Sequence, residues 1–206
     1  MTVLGVFAHP DDEVLGCGGT LARLAKEGHE IHICLLGIRE LEQEAQATLE
    51  VLGAKALHYK QFPDQQFDSY PLLKLTQTVE AALKDWPAEI VYTHHTGDLN
   101  LDHALVARAV LTATRPKPDC SVKDVYMCEV PSSTEWAFNG AFKPNVFMDI
   151  SATLDRKLDA MALYASEMRD PPNPRALVSL HARATYWGSV AGVAAAEAFE
   201  LVRSIR

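Results

Sequence analysis

The chain has 206 residues, 48% hydrophobic and 22% charged, and its 27 acidic against 19 basic side chains give a formal charge of −8. The apolar content and the lack of long charge blocks exclude a disordered chain, and the length suits one domain over residues 1–206, able to bury about 70% of the surface exposed on unfolding. The negative balance argues against nucleic-acid or membrane-surface binding and leaves a small, weakly charged substrate as the expected partner.

Residues 3–8 form a short apolar run, the pattern of a strand buried on both faces. After an acidic turn, residues 15–27 predict a helix that Gly28 can end in the left-handed region. Residues 31–36 are a second apolar, β-branched run. Leu41, Ala45, Leu49 and Leu52 then share one helical face, which stops before Gly53. Residues 56–59 predict a weak third strand, 72–83 a helix, 89–93 a fourth strand and 103–114 a helix broken by Arg115-Pro116-Lys117-Pro118. Four successive strand–helix units predict an α/β fold, with a mostly parallel sheet covered by helices on both faces. Extra elements follow: strands at 125–130 and 145–150, a helix from Ser151 to about Met168, and a last helical region that begins after Pro171-Pro172-Asn173-Pro174 and ends near Arg206.

Cys17, Cys34, Cys120 and Cys128 show no CxxC spacing, and Cys34 and Cys128 sit in apolar runs as small core residues. There is no basic leader, and no stretch approaches the ~18 apolar residues of a membrane-spanning helix. These features predict a cytoplasmic chain without a membrane span.

Open parallel sheets bind ligands beyond the carboxyl ends of their strands, where strand order reverses. If the fourth strand lies on the far side of the first, the loops after strands one and four flank that crevice. They carry His9-Pro10-Asp11-Asp12-Glu13 and His94-His95-Thr96-Gly97-Asp98-Leu99-Asn100-Leu101-Asp102-His103. Pro10 stops the strand, so His9 and Asp12 can bend toward one point. With His103 as the best-placed third ligand, two imidazoles and a carboxylate would leave one metal position open for water, as in catalytic zinc sites. Asp11 would stand beside that water as general base, an arrangement suited to cleaving an amide or ester. The same acids could instead cap a helix, although capping leaves His9 and the second cluster without a role. Dinucleotide binding is excluded: Gly16-Cys17-Gly18-Gly19 lacks the last glycine of the fingerprint, which is Leu21 here, and three acids occupy the phosphate position. These glycines are expected to permit close backbone packing.

These residues resemble the zinc-dependent de-N-acetylases of the GlcNAc-phosphatidylinositol deacetylase-like (PIG-L/LmbE-like) family. The resemblance rests on Ala8-His9-Pro10-Asp11-Asp12-Glu13, Gly97-Asp98-Leu99-Asn100-Leu101-Asp102-His103 and Ala196-Glu197-Ala198-Phe199, with weaker matches at Phe62-Pro63-Asp64 and Ser132-Ser133-Thr134-Glu135-Trp136. It implies a Rossmann-like fold and removal of acetyl from N-acetylglucosamine-type sugars. It also implies one zinc per chain on His9, Asp12 and His103, with Asp11 as base; other divalent metals suit the same ligands. Two departures stand out. Many relatives carry histidine three residues before the last ligand, where this chain has Asn100, which can donate a hydrogen bond to an oxyanion but cannot supply a proton. Similar bacterial sequences also read Pro-His-Pro-Arg where this one reads Pro172-Asn173-Pro174-Arg175. His95 and His181 are therefore the candidates for the acid that protonates the leaving amine.

Candidate substrate contacts are Arg39 after strand two, Asp64 in the loop after strand three, Asp102 beside the last ligand, and Trp136 as a platform for a pyranose ring. Glu13 is expected to orient a neighbour of the metal. Another amide, such as that of a thiol-sugar conjugate, and a non-catalytic sugar- or nucleotide-binding module are the competing readings. A homo-oligomer is compatible with the sequence, since subunits could complete the pocket if the 171–175 loop reached a neighbour.

Overall fold

Side chains along a strand point alternately to the two faces of its sheet, so a strand covered on both sides is apolar at every position. In β1 (Thr2–Phe7), Val3 and Phe7 enter the core on one face, while Leu4 and Val6 enter the core on the other. β2 (Glu30–Ile38) repeats this with Ile31, Ile33 and Leu35 against Cys34 and Leu36. The computed structural model describes the backbone of residues 1–38, 40–138 and 142–206, and the side chains of all these except 38 and 59–61. It joins these strands to β3 (Ala56–Pro63), β4 (Ile90–His94), β5 (Asp124–Cys128), β6 (Val146–Asp149) and β7 (Ala196–Arg203). The seven form one sheet of order β3-β2-β1-β4-β5-β7-β6. β1 pairs in parallel with β2 on one side and β4 on the other, so the strand order reverses there, as the sequence predicts.

One face of the sheet is covered by α1 (Asp12–Lys26), α2 (Glu42–Leu52) and α5 (Leu154–Leu163); the other by α3 (Leu72–Asp85) and α4 (Leu101–Ala113). α2 ends at Gly53, with φ 72°. α6 (Leu177–Ala191) lies near the sheet's far end and ends at Gly192, also left-handed. Two glycines in α1 allow the close packing expected of them. A Cβ on Gly16 would lie 2.5 Å from Cys128 Sγ, and one on Gly19 would lie 2.8 Å from Ile150 Cδ1.

The last element departs from the sequence expectation. The helix expected to run to the end stops at Ala191, and residues 196–203 form β7, antiparallel to both β5 and β6. Alanine-rich sequence favours a helix locally, but a strand fills the gap between two others and satisfies its backbone on both edges, so tertiary pairing prevails. α5 also ends earlier than expected, at Leu163, and α1 and α4 start earlier, at Asp12 and Leu101.

β7 carries Glu197 into the interior, where it stabilises a break in α1. Cys17 is non-helical (φ −149°, ψ 20°), which leaves N–H and C=O groups in mid-helix without their usual partners. Glu197 accepts the N–H groups of Gly19 (3.0 Å) and Thr20 (2.7 Å), and Lys157 Nζ donates to Leu15 O (2.9 Å) and Glu197 Oε1 (2.5 Å). Both side chains of the pair are buried. Replacing Glu197 by Gln should leave Lys157 an uncompensated buried charge and lower unfolding free energy by about 3–5 kcal/mol. Denaturant unfolding measures this, and a loss below about 1 kcal/mol would show that the pair does not hold the kink.

Candidate metal centre

The turn between β1 and α1 places its acids without using them as helix caps. Asp11 occupies the N-cap position with φ 97°, and its side chain makes no capping bond. The Asp11 carbonyl takes the helix N–H groups instead, from Val14 (3.0 Å) and Leu15 (2.9 Å). Asp12 Oδ2 accepts the His9 N–H at 2.8 Å, bending the turn back on itself. From across the switch point, α4 presents His103. One ligand atom each of His9, Asp12 and His103 lies within 4.8 Å of the others, and all three residues are buried.

The distances say which atoms converge. His9 Nδ1 lies 3.4 Å and His103 Nε2 3.3 Å from Asp12 Oδ2, while Asp12 Oδ1 is buried with no hydrogen-bond partner among the described residues. A buried carboxylate oxygen in that state is costly unless a cation or donor reaches it. The far nitrogens of both imidazoles face carboxylates. His9 Nε2 is 3.1 Å from Asp102 Oδ2 and 2.9 Å from Asp64 Oδ1; His103 Nδ1 is 3.3 Å from Asp98 Oδ1. Such partners keep a proton on the far nitrogen and turn the near one inward as a ligand. Donor type, spacing and the unsatisfied oxygen all fit a divalent cation.

The electrostatics agree. Burial disfavours a charged ring at His9, yet bonds to Asp102, Asp12 and Asp64 overcome it and lift the ring to about 11. His103 is likewise penalised by burial and lifted to about 9 by Asp12 and Asp98. Asp12, buried as it is, is held well below the usual carboxylate range by His103 and by its hydrogen bond with His9. Burial pushes Glu13 up to about 8, against the hydrogen bond from Tyr164 Oη (2.6 Å). Glu13 Oε2 accepts the Asp11 N–H at 3.1 Å, so it orients the neighbour of a ligand, as its place in the turn suggests.

The other expected residues divide. Asn100 caps α4, its side-chain oxygen accepting the Asp102 N–H at 2.9 Å. Asp102 is not open to substrate: it is buried, and its carboxylate takes the N–H groups of Gln65 (2.8 Å) and Phe67 (3.1 Å) as well as His9. Asp64 is a third exposed, and Trp136 is 45% exposed, in the short turn whose Ser133 and Thr134 bind Asp98. His95 does not join the triad, because its ring faces Glu200 at 3.3 Å and Phe142. His181 is exposed on α6 and is not one of the residues whose ligand atoms converge at the triad. Arg39 lies outside the described residues.

Three contributors escape sequence reasoning. Asp98 holds His103 from behind. His94 accepts the Ala8 N–H through Nε2 (2.8 Å) and stacks on His103 at 4.1 Å; burial and the neighbouring His103 push it down to about 3. Arg175 lies 2.7 Å from Asp11 Oδ2. His94 ends β4 and Asp98 stands in the polar loop after it, a signal that marks the region without separating their roles.

Comparison with known proteins agrees with this site. Residues 4–114, which contain both polar loops, match the family model PIG-L: GlcNAc-PI de-N-acetylase. Uncharacterized deacetylase YaiS of Escherichia coli (strain K12) is 30% identical over 161 residues, 72% of this chain and 81% of that protein. Diacetylchitobiose deacetylase of Thermococcus kodakarensis is 25% identical, with 98% of this chain and 84% of that protein aligned. Among solved structures, the conserved protein TT1542 from Thermus thermophilus superposes with TM-score 0.81 and 25% identity over 99% of this chain and 95% of that one. The chain belongs to the PIG-L de-N-acetylase family.

In metal-free protein the His103 ring should titrate near 9, and Asp98→Asn, which removes a carboxylate favouring the charged ring, should lower that value. NMR titration of the ring checks this; a His103 pKa near 6.5 in both proteins would contradict the geometry.

Proposed function

We propose that residues 1–206 act as one catalytic domain that removes the N-acetyl group from an N-acetylglucosamine-type sugar or sugar conjugate, with zinc held by His9, Asp12 and His103. The observation that carries this reading is the buried pair of imidazoles turned toward Asp12, whose Oδ1 is still unsatisfied, beside a second carboxylate, Asp11. Family membership and a diacetylchitobiose deacetylase among the relatives support the substrate class. Zinc, when bound, supplies Lewis acidity that makes water acidic near neutral pH and draws electron density from an amide carbonyl.

The chain's own groups do the rest. Asp11, set in a strained backbone, takes the proton of the attacking water. With the His95 ring turned to Glu200 and His181 exposed on α6, the Asp11 carboxyl returns that proton to the departing amine. Asn100 keeps its side-chain nitrogen for the developing oxyanion, because its oxygen is engaged by α4. Asp64 accepts a sugar hydroxyl, and Trp136 offers a face to the ring. No helix among the described residues is long and apolar enough to cross a membrane. Cys17, Cys120 and Cys128 are free thiols, which supports a reducing, cytoplasmic setting.

Acetate release from N-acetylglucosamine and N,N′-diacetylchitobiose, with zinc content measured alongside, tests the proposal. Asp11→Asn should lower turnover by about 10³-fold or more while zinc stays bound, and His103→Ala should lose both zinc and activity. Near-normal turnover in the first variant, or full zinc occupancy in the second, would refute the assignment.

A further inference from the structure

Asp11 is buried, so protein groups decide which way its carboxylate faces. A cation, Arg175, reaches it from the segment between α5 and α6. That guanidinium makes three bonds to three parts of the chain. Nη1 donates to Asp11 Oδ2 at 2.7 Å and to Glu167 Oε2 at 3.1 Å, and Nε donates to Ser132 Oγ at 2.8 Å. The Arg175 N–H is itself held by Asn173 Oδ1 at 2.9 Å. Both Asp11 (φ 97°) and Ser132 (φ 77°) have left-handed backbones, a conformation that non-glycine residues keep only where their surroundings hold them. A planar, permanently charged fork that reaches all three groups is a task lysine cannot duplicate.

We propose that Arg175 is the positioning residue of the general base. Its bond to Oδ2 fixes the rotation of the Asp11 carboxylate, and its bonds to Ser132 and Glu167 tie that carboxylate to the loop after β5 and to the segment of residues 164–176. This rests on the reading of Asp11 as base. Asn173, standing where similar sequences carry histidine, contributes by holding the Arg175 backbone. Arg175 itself neither gives nor takes a proton.

Two measurements on the full chain test this. With zinc bound, Arg175→Ala should lower kcat by about 10²-fold, the scale of an ångström's misplacement, with KM and zinc content close to wild type. Arg175→Lys should recover part of that loss, as should guanidinium ion added to the alanine variant. A kcat within about threefold of wild type, a loss confined to KM, or equal losses in both variants without guanidinium rescue would overturn the proposal. The second measurement needs no turnover: hydrogen exchange of residues 164–176 in metal-free Asp11→Asn and Arg175→Lys should be about tenfold faster than in wild type. Unchanged exchange in both would overturn the clamp even if Arg175→Ala failed to fold. Absent deacetylation by wild type with faster exchange in the variants would instead defeat the base reading and leave the clamp standing.

Discussion

The rest of the site is arranged around a buried carboxylate that accepts a bond from its own turn, faces two imidazoles and still has one unsatisfied oxygen. Asp12 can hold that place only if positive charge stands in front of it. Around it lie Asp11, Asp64, Asp98 and Asp102, so the potential favours cations strongly. Without a metal, His9 and His103 take up that demand and keep their protons far above neutral pH. Binding a divalent ion must therefore displace protons from both rings, which couples metal affinity to pH. His94, pressed against His103 and committed to the Ala8 N–H, stays neutral and adds no competing charge.

This concentration of charge depends on a scaffold built far from it. The switch between β1 and β4 brings the two polar loops together, and Lys157 and Glu197 hold the kink in α1, the helix that begins in the acidic turn. Among the described residues, the three non-glycine residues with left-handed backbones, Asp11, Gln65 and Ser132, all adjoin the site. Asp11 carries the base, Gln65 donates to Asp102 and Ser132 accepts from Arg175. Strain collected at one end of the sheet is what a pre-organised site requires.

Much of this was legible in the sequence. The order of the first four strand–helix units follows from continuous apolar runs alternating with helical periodicity, and the switch point follows from that order. His9, Asp12 and His103 could be read because the turn at Pro10 and the end of β4 bring short-range patterns to one place. Roles that depend on distant partners could not. Whether Asp102 touches substrate or anchors a loop is decided by Gln65 and Phe67, and Asp98 gains its meaning from Ser133 and Thr134. Lys157 meets Glu197 across 40 positions, and only the pairing of β7 with β5 and β6 shows that an alanine-rich segment is extended. Arg175 was visible only as part of a departed motif; its contact with Asp11 spans 164 positions.

The most direct test of the account is a crystal structure of the zinc-loaded protein with anomalous data collected on both sides of the zinc edge. Zinc on the triad gives one strong anomalous peak within bonding distance of His9 Nδ1, His103 Nε2 and an Asp12 carboxylate oxygen, at about 2.0–2.2 Å. A peak on the Asp64 and Asp102 side of His9, or none at the triad with zinc in excess, would contradict it.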